Sequence, residues 1–250
     1  MLLLKKTYLF SLLFAAICMI SCSDNDSSEE LKDDLELLST FDIAIAEPSG
    51  LTINSSGTIL YTVSDNTAQV YRLTTEGNVI QTFSYKGNDL EGVSIYTGNK
   101  LLLAEERTKE IVEFDMSIGN YTKHKIDYVN NDENSGIEGV AFAENLNTIF
   151  ILNEKSPGKL IRLRSDFSVL VEYELNFASD YSGIFYDSSS SNLWIVSDQN
   201  KTLNKCTLKG ELIDSYSIRI TQAEGVAITN NKIYIISDAE EKLYVYKKPQ

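Results

Sequence analysis

Three glutamates stand directly before a glycine at the head of a short apolar run: Glu91-Gly92-Val93, Glu138-Gly139-Val140 and Glu224-Gly225-Val226. Further acids close apolar runs downstream of them: Glu105-Glu106, Glu154, Asp198 and Asp238, with Asp65 in an earlier run. Carboxylates are hard oxygen donors, and Ca²⁺ takes six to eight such oxygens at about 2.3–2.6 Å. If the fold gathers these side chains, the chemistry they offer is cation binding, or general-base chemistry beside a bound cation. Other chemistries lack their residues. There is no Gly-x-Ser-x-Gly nucleophile elbow, no Gly-x-x-x-x-Gly-Lys loop and no Cys/His cluster of the kind zinc needs. The single histidine, His124, lies between two lysines in Tyr121–Ile126 and reads as a solvated residue of an outer strand.

Whether those acids meet depends on a repeat. Gly50, Gly92, Gly139, Gly183 and Gly225 each follow a polar residue and each begin a short run: LTI, VSI, VAF, IFY, VAI. A polar turn follows, then a second run that ends in an acid: residues 58–65, 101–106, 148–154, 193–198 and 232–238. Third runs (QVYRL, EIVEF, KLIRL, TLNKC, KLYVY) follow in all five units. Fourth runs (VIQTFSY, YTKHKI, SVLVEYEL, LIDSYSI) follow in four of them. Val, Ile, Leu, Tyr and Phe separated by turn residues make these strands and not helices. Four strands in units of about 40–45 residues is the arithmetic of a β-propeller blade. The last unit lacks a fourth strand, and a spare one, LLSTFDIAIA at 37–46, precedes the first. The expected fold is therefore all-β: one five-bladed propeller of four-stranded blades over residues 36–250, its last blade closed by the N-terminal strand. Closure removes the exposed sheet edge.

Folding one hairpin shows where the acids go. Pairing residues 92–95 with 101–106 about the turn at 97–100 sets Glu91 opposite Glu105 or Glu106. The same operation sets Glu47 near Asp65, Glu138 near Glu154, Ser182 near Asp198 and Glu224 near Asp238. First strands of a propeller line its channel, so about nine carboxylates would crowd one mouth. A like-charge pair about 4 Å apart costs on the order of 1–4 kcal/mol between water and a near-surface site, so something must offset the repulsion. The expectation is a Ca²⁺ site with Glu91, Glu138 and Glu224 as its first ligands. Glu47, Glu105 and Glu154 are further ligands or supports. The competing reading is structural. Each Glu before Gly could accept backbone N–H groups, and Asp65, Asp198 and Asp238, all in Ser-Asp pairs, are expected to cap turns. The run Asn130–Gly136 has alternating oxygen donors but departs from an EF-hand loop and reads as a polar loop.

The 250 residues carry 22 Lys+Arg against 36 Asp+Glu, a net charge of −14. That balance argues against nucleic acid as a partner, because phosphate binding is driven by clustered Lys and Arg. Hydrophobic residues at 43% supply a core. Lys5 and Lys6 precede an apolar run from Tyr8 to Ile20, then Ser21-Cys22, which has the form of a signal peptide over 1–21. Met19-Ile20-Ser21-Cys22 resembles a lipoprotein signal, with Cys22 as the lipidated residue. Ordinary secretion with an incidental Cys22 is the alternative. Residues 22–35 read as a flexible acidic tether. Once 1–21 is removed, Cys206 is the one cysteine besides Cys22, and its strand pattern makes it a core filler. Trp194, inside LWIVSD, is expected in the core.

Glu-Pro-Ser-Gly-Leu at 47–51, Leu90-Glu91-Gly92-Val93, Ile137-Glu138-Gly139-Val140 and Ala223-Glu224-Gly225-Val226 with Ile236-Ser237-Asp238 together resemble the SdiA-regulated family over nearly all of residues 40–247. The resemblance implies a five-bladed propeller with a bound calcium, similar to NHL-repeat and gluconolactonase-like propellers. Tyr181-Ser182-Gly183 departs from the pattern, so the fourth unit is expected to give no carboxylate from its first strand. The resulting expectation is an outer-membrane lipoprotein of the cell envelope. It would be a monomer that binds a small molecule or an envelope protein, touching the membrane through its lipid alone. The rival is a Ca²⁺-dependent hydrolase of lactones or phosphoesters, with Glu105, Glu106 or Glu154 as base.

Overall fold

The computed structural model describes residues 35–129 and 135–249. The signal segment, Cys22, most of the tether and Asn130–Asn134 of the polar loop lie outside the described residues. The described chain forms five four-stranded antiparallel sheets arranged as a propeller. The inner strands are β2 (Pro48–Ile53), β6 (Leu90–Ile95), β10 (Ile137–Ala143), β14 (Gly183–Asp187) and β18 (Ala223–Ile228). Within the first four sheets the strands follow chain order from the centre outward. In the fifth, β1 (Leu37–Asp42) pairs antiparallel with β20 (Lys242–Lys247) and supplies the outermost place, as the spare run requires. The strand is shorter than that run. It ends at Asp42, and Ile43 and Ile45 turn into the packing between the fifth and first blades.

The burial pattern explains the residue pattern. Second strands such as β7 (Lys100–Glu105) are hydrophobic on both faces, with Leu101, Leu102, Leu103 and Ala104 all fully buried. Such a strand packs against a neighbouring blade on each side, so alternation gives way to a continuous apolar run. Outer strands are largely exposed, and Val79–Lys86 buries only Phe83 and Tyr85. Five core clusters result, and each mixes side chains of adjacent blades. Trp194 is buried and stacks on Tyr216, and Cys206 is buried. His124 is less exposed than its flanking lysines suggest. Its ring lies flat on Phe167 of the next blade, with centroids 3.6 Å apart. Among the described residues no helix is long and apolar enough to cross a membrane.

The five repeated glycines hold the inner strands together. A Cβ on Gly225 would lie 2.5 Å from Gly50 C and Leu51 N, and one on Gly92 would lie 2.9 Å from Gly139 Cα. Backbone meets backbone around the axis, and no larger residue fits there.

Candidate functional site

A β-bulge does the aiming. The pairing of β6 with β7 skips from Leu90↔Glu105 to Gly92↔Ala104, which leaves Glu91 as the extra residue. The same shift leaves Glu138 unpaired in β10 and Glu224 unpaired in β18. A bulge bends the strand and redirects the side chain it frees. All three glutamates thereby line one cavity of 390 Å³ at a mouth of the channel. Ser49 and Ser182 hold the equivalent place in the first and fourth blades. The fourth blade therefore contributes no carboxylate there, as expected.

The ends of the second strands add Asp65, Glu106, Glu154, Asp198 and Asp238, and Glu47 and Asp180 complete the acidic lining. No lysine or arginine lines the cavity. The cations lie around its rim. Lys155 pairs with Glu154 at 2.6 Å, Lys201 with Asp198 at 2.6 Å, and Arg107 with Asp89 at 2.6 Å. Two groups are close enough to share one ion, with ligand atoms within 4.8 Å of one another: Asp65, Asp89 and Glu91; and Glu106, Glu138 and Glu154. Glu224 belongs to the cavity but to neither group.

Crowding and burial together favour the protonated acids. Burial, then the charges of Glu91, Glu106, Glu154 and Glu224, hold the Glu138 carboxyl well above the ordinary carboxylate range. Burial raises Glu91 likewise, against a hydrogen bond of 2.7 Å that Ser49 Oγ donates to its Oε2. Glu224 is pushed up to about 8 by burial and by Asp198, Asp238, Asp180 and Glu154. Asp65 rises to about 6, through burial and Asp89. Glu106 and Asp238 are raised, by burial first.

Two expectations need correcting. Glu105 does not reach the cavity. It is fully buried inside the second blade, where Oε1 accepts hydrogen bonds from Tyr85 Oη (2.7 Å) and Asn88 N (3.0 Å) and Oε2 meets Lys123 Nζ at 2.5 Å. Burial opposes its charge, but Lys123 and Tyr85 outweigh burial and hold its pKa below the usual value. Strand alternation sends its neighbour, Glu106, to the channel instead. The Ser-Asp pairs also work the other way round. Ser64, Ser197 and Ser237 cap the turns, accepting from Thr67 N, Asn200 N and Glu240 N at 3.0–3.2 Å. Asp65, Asp198 and Asp238 are left to line the cavity. In the fourth blade Asp180 is the acid that caps, accepting from Ser197 Oγ and from the N–H groups of Asp198 and Gln199. Asp89 and Asp180 went unnoticed in the sequence. Their signal is positional, since each stands two residues before the inner-ring residue, as Glu47 does.

The donor set fits a hard cation. Every side chain offered is an oxygen donor, and no histidine or cysteine lines the cavity. A divalent ion would replace the protons that the buried carboxylates otherwise hold. Glu91, Asp65 and Asp89 on one side, or Glu138, Glu106 and Glu154 on the other, are the residues that would hold it.

Comparison with known proteins agrees with the fold. The SdiA-regulated family model matches residues 39–239, and the chain belongs to that family. Among solved structures, Myxococcus xanthus glutaminyl cyclase is similar at 9% identity and TM-score 0.66, over 88% of this chain and 100% of that one. Staphylococcus aureus virginiamycin B lyase follows at 17% identity and TM-score 0.51, over 81% and 66%. A chain of a nidogen/laminin complex matches at 13% identity and TM-score 0.55, over 76% and 72%. At these identities the likeness concerns the fold alone.

Proposed function

We infer that this chain is an exported, lipid-anchored, calcium-binding β-propeller that acts as a ligand-binding or scaffold module of the bacterial cell envelope. The observation that carries the calcium reading is a channel mouth lined by carboxylates from all five blades and by no cation. A site of that kind costs stability unless protons or a metal compensate it, and a hard divalent ion compensates it with the oxygen donors present. The reading of export and anchoring rests on Lys5, Lys6, the Tyr8–Ile20 run and Cys22. With it goes the proposal of an outer-membrane monomer whose partner is a small molecule or an envelope protein, and the net charge of −14 speaks against nucleic acid.

Calorimetric titration of CaCl₂ into EDTA-stripped protein tests the metal. Saturable heat and a rise in melting temperature are expected, and neither appearing would refute calcium binding. Labelling of cells with an alkyne fatty acid tests the anchor. The label is expected on the wild type and absent from Cys22→Ser, and equal labelling of both would refute anchoring at Cys22.

A hydrolytic reading has one observation in its favour. The Glu106 carboxyl is raised above its ordinary pKa, by burial first, and lies within 4.8 Å of Glu138 and Glu154, where a metal-bound substrate could lose a proton to it. The similar structures include two enzymes and a binding complex, so the fold does not choose between the readings. Turnover of a lactone or phosphoester panel, abolished by Glu91→Gln or Glu138→Gln in otherwise folded protein, would establish the hydrolase. Calcium-dependent stability with no turnover would establish the binding module.

A further inference from the structure

The channel has a second mouth of opposite chemistry. Where the inner strands turn toward the second strands, a cavity of about 690 Å³ opens. Two residues beyond each repeated glycine stand Thr52, Ser94, Ala141, Phe185 and Ala227. Thr52, Ser94 and Ala141 are small and line the cavity, while the fourth blade fills part of it with the ring of Phe185. Phe185 is half-buried, packs against the core clusters on both sides of the fifth blade and lines this cavity but not the acidic one. Two further rings line the same cavity. Tyr96 and Phe142 meet edge to face across the second and third blades, with centroids 4.6 Å apart, and both are half-buried.

The rim of this mouth is neutral and polar. Ser55, Asn145, Ser188, Asn230 and Asn231 are exposed and line it. The charges there are few. Asp187 is already met by Lys248 Nζ at 2.6 Å and by the hydroxyls of Ser189 and Ser190. Glu144 and Lys232 remain, one of each sign. A cation finds far fewer carboxylates here than at the other mouth, and an anion finds little to offset a chain of net charge −14. A wholly apolar ligand would leave the amides and hydroxyls without partners. Half-buried aromatic faces beside amides and hydroxyls suit a molecule with an apolar C–H face and a hydroxyl edge.

We propose that this second mouth is a binding site for a neutral saccharide of one or two rings, seated on Tyr96, Phe142 and Phe185 and hydrogen-bonded by the Asn and Ser rim. The site gives the ligand-binding half of the function above a substrate class, and it does not depend on calcium. Sites of about 300–1,000 Å³ hold ligands of this size, and the cavity falls in that range.

The test is saturation-transfer NMR with maltose, cellobiose, lactose and diacetylchitobiose, each at about 10 mM, followed by calorimetry on the best binder. At least one is expected to bind, with Kd near 1 mM or tighter. Phe142→Ala or Tyr96→Ala is expected to weaken it by about tenfold, the effect of losing one aromatic contact. Tyr96→Phe, which keeps the ring, is expected to retain binding. Asn145→Asp changes an exposed rim residue without touching the core and is expected to weaken binding several-fold. Glu138→Gln and EDTA are expected to leave sugar binding intact, so failure of the calcium reading and failure of this one are separable. Absence of binding by all four sugars would overturn the proposal. So would binding indifferent to both the ring and the rim substitutions in folded protein, or tighter binding of spermidine or digalacturonate at this mouth.

Discussion

Replacing Glu224 by Gln separates a cavity that needs a cation from one that is merely acidic. In the calcium-free protein the Glu224 carboxyl is held at about 8 against an ordinary 4.5, by burial and by four neighbouring acids. Its folded-state pKa is raised, so the folded chain binds more protons than the unfolded chain between those two values. Stability therefore falls as pH rises through that window. At pH 7 the folded protein keeps a proton that the unfolded chain has released. Each pH unit above 4.5 costs about 1.4 kcal/mol, which makes roughly 3 kcal/mol at pH 7. Gln has the shape of the protonated acid and does not titrate, so this penalty disappears. The variant is expected to melt about 6–12 °C above the wild type in EDTA at pH 7, from roughly 2–4 °C per kcal/mol for a domain of this size. The gap is expected to shrink as pH falls toward 4.5, where half of the unfolded chains keep the proton, and to close below it. Calcium is expected to close it from the other side. At one hundred times Kd the wild type gains about 2.7 kcal/mol by mass action, while the variant, with one carboxylate fewer in the cavity around the ion, gains less. Differential scanning fluorimetry across pH 4.5–8.5, in EDTA and in CaCl₂, reads both effects. A variant that melts at or below the wild type in EDTA at pH 7 would refute the electrostatic reasoning. A gap that calcium leaves unchanged would remove Glu224 from the metal's surroundings.

Glu105→Gln is expected to cost about 1–3 kcal/mol in urea denaturation, because it removes the charged acceptor of Tyr85 and Lys123 while Lys123 keeps Glu110 at 3.5 Å, and to leave the calcium heat unchanged. Loss of calcium binding with wild-type stability would return Glu105 to the site. Gly225→Ala places a methyl 2.5 Å from the backbone of Gly50 and Leu51 and is expected to cost about 3 kcal/mol or to prevent folding, read by the denaturation midpoint. Deleting residues 1–42 removes β1 and uncovers the edge of β20. It is expected to lower stability by about 2 kcal/mol through loss of Phe41 packing, and to promote self-association visible by light scattering. A monodisperse, equally stable product would argue against closure by that strand.

The blades were legible because their physics is periodic. A glycine is needed wherever two inner strands meet backbone to backbone, and Gly92 and Gly225 do so on opposite sides of the ring. Apolar runs are needed wherever a strand is covered on both faces, as Leu101–Ala104 is. The acidic mouth was legible as a column, because Glu91, Glu138 and Glu224 share one offset from glycine. What escaped was register. The bulge before Gly92, Gly139 and Gly225 moves the pairing by one place, and Leu90 rather than Glu91 faces Glu105. Residue types do not show a bulge, so Glu105 and Glu106 could not be told apart by pairing alone. They could be told apart by column. Glu105 shares a position with Ser64, Asn153, Ser197 and Ser237, which all are buried and hydrogen-bonded within their blades. Glu106 shares one with Asp65, Glu154, Asp198 and Asp238, which all reach the channel.

The two columns sit one residue apart and carry opposite demands. A buried polar group inside a blade must be matched by donors from its own turn, so Ser, Asn or a Lys-paired Glu serves there. The next residue faces a channel that no lysine or arginine lines, with Lys155 and Lys201 meeting only Glu154 and Asp198 from its rim, and all five blades nevertheless place an acid there. Turn capping cannot account for that choice, since Ser64, Ser197 and Ser237 already perform it. Solubility cannot account for it either, because the cavity lies at the centre of the ring and several of its acids are driven toward the neutral form. A property that costs the folded state free energy in four of the five blades, at Asp65, Glu91, Glu138 and Glu224, points to a ligand outside the chain. For ten inward carboxylates, that ligand is a cation.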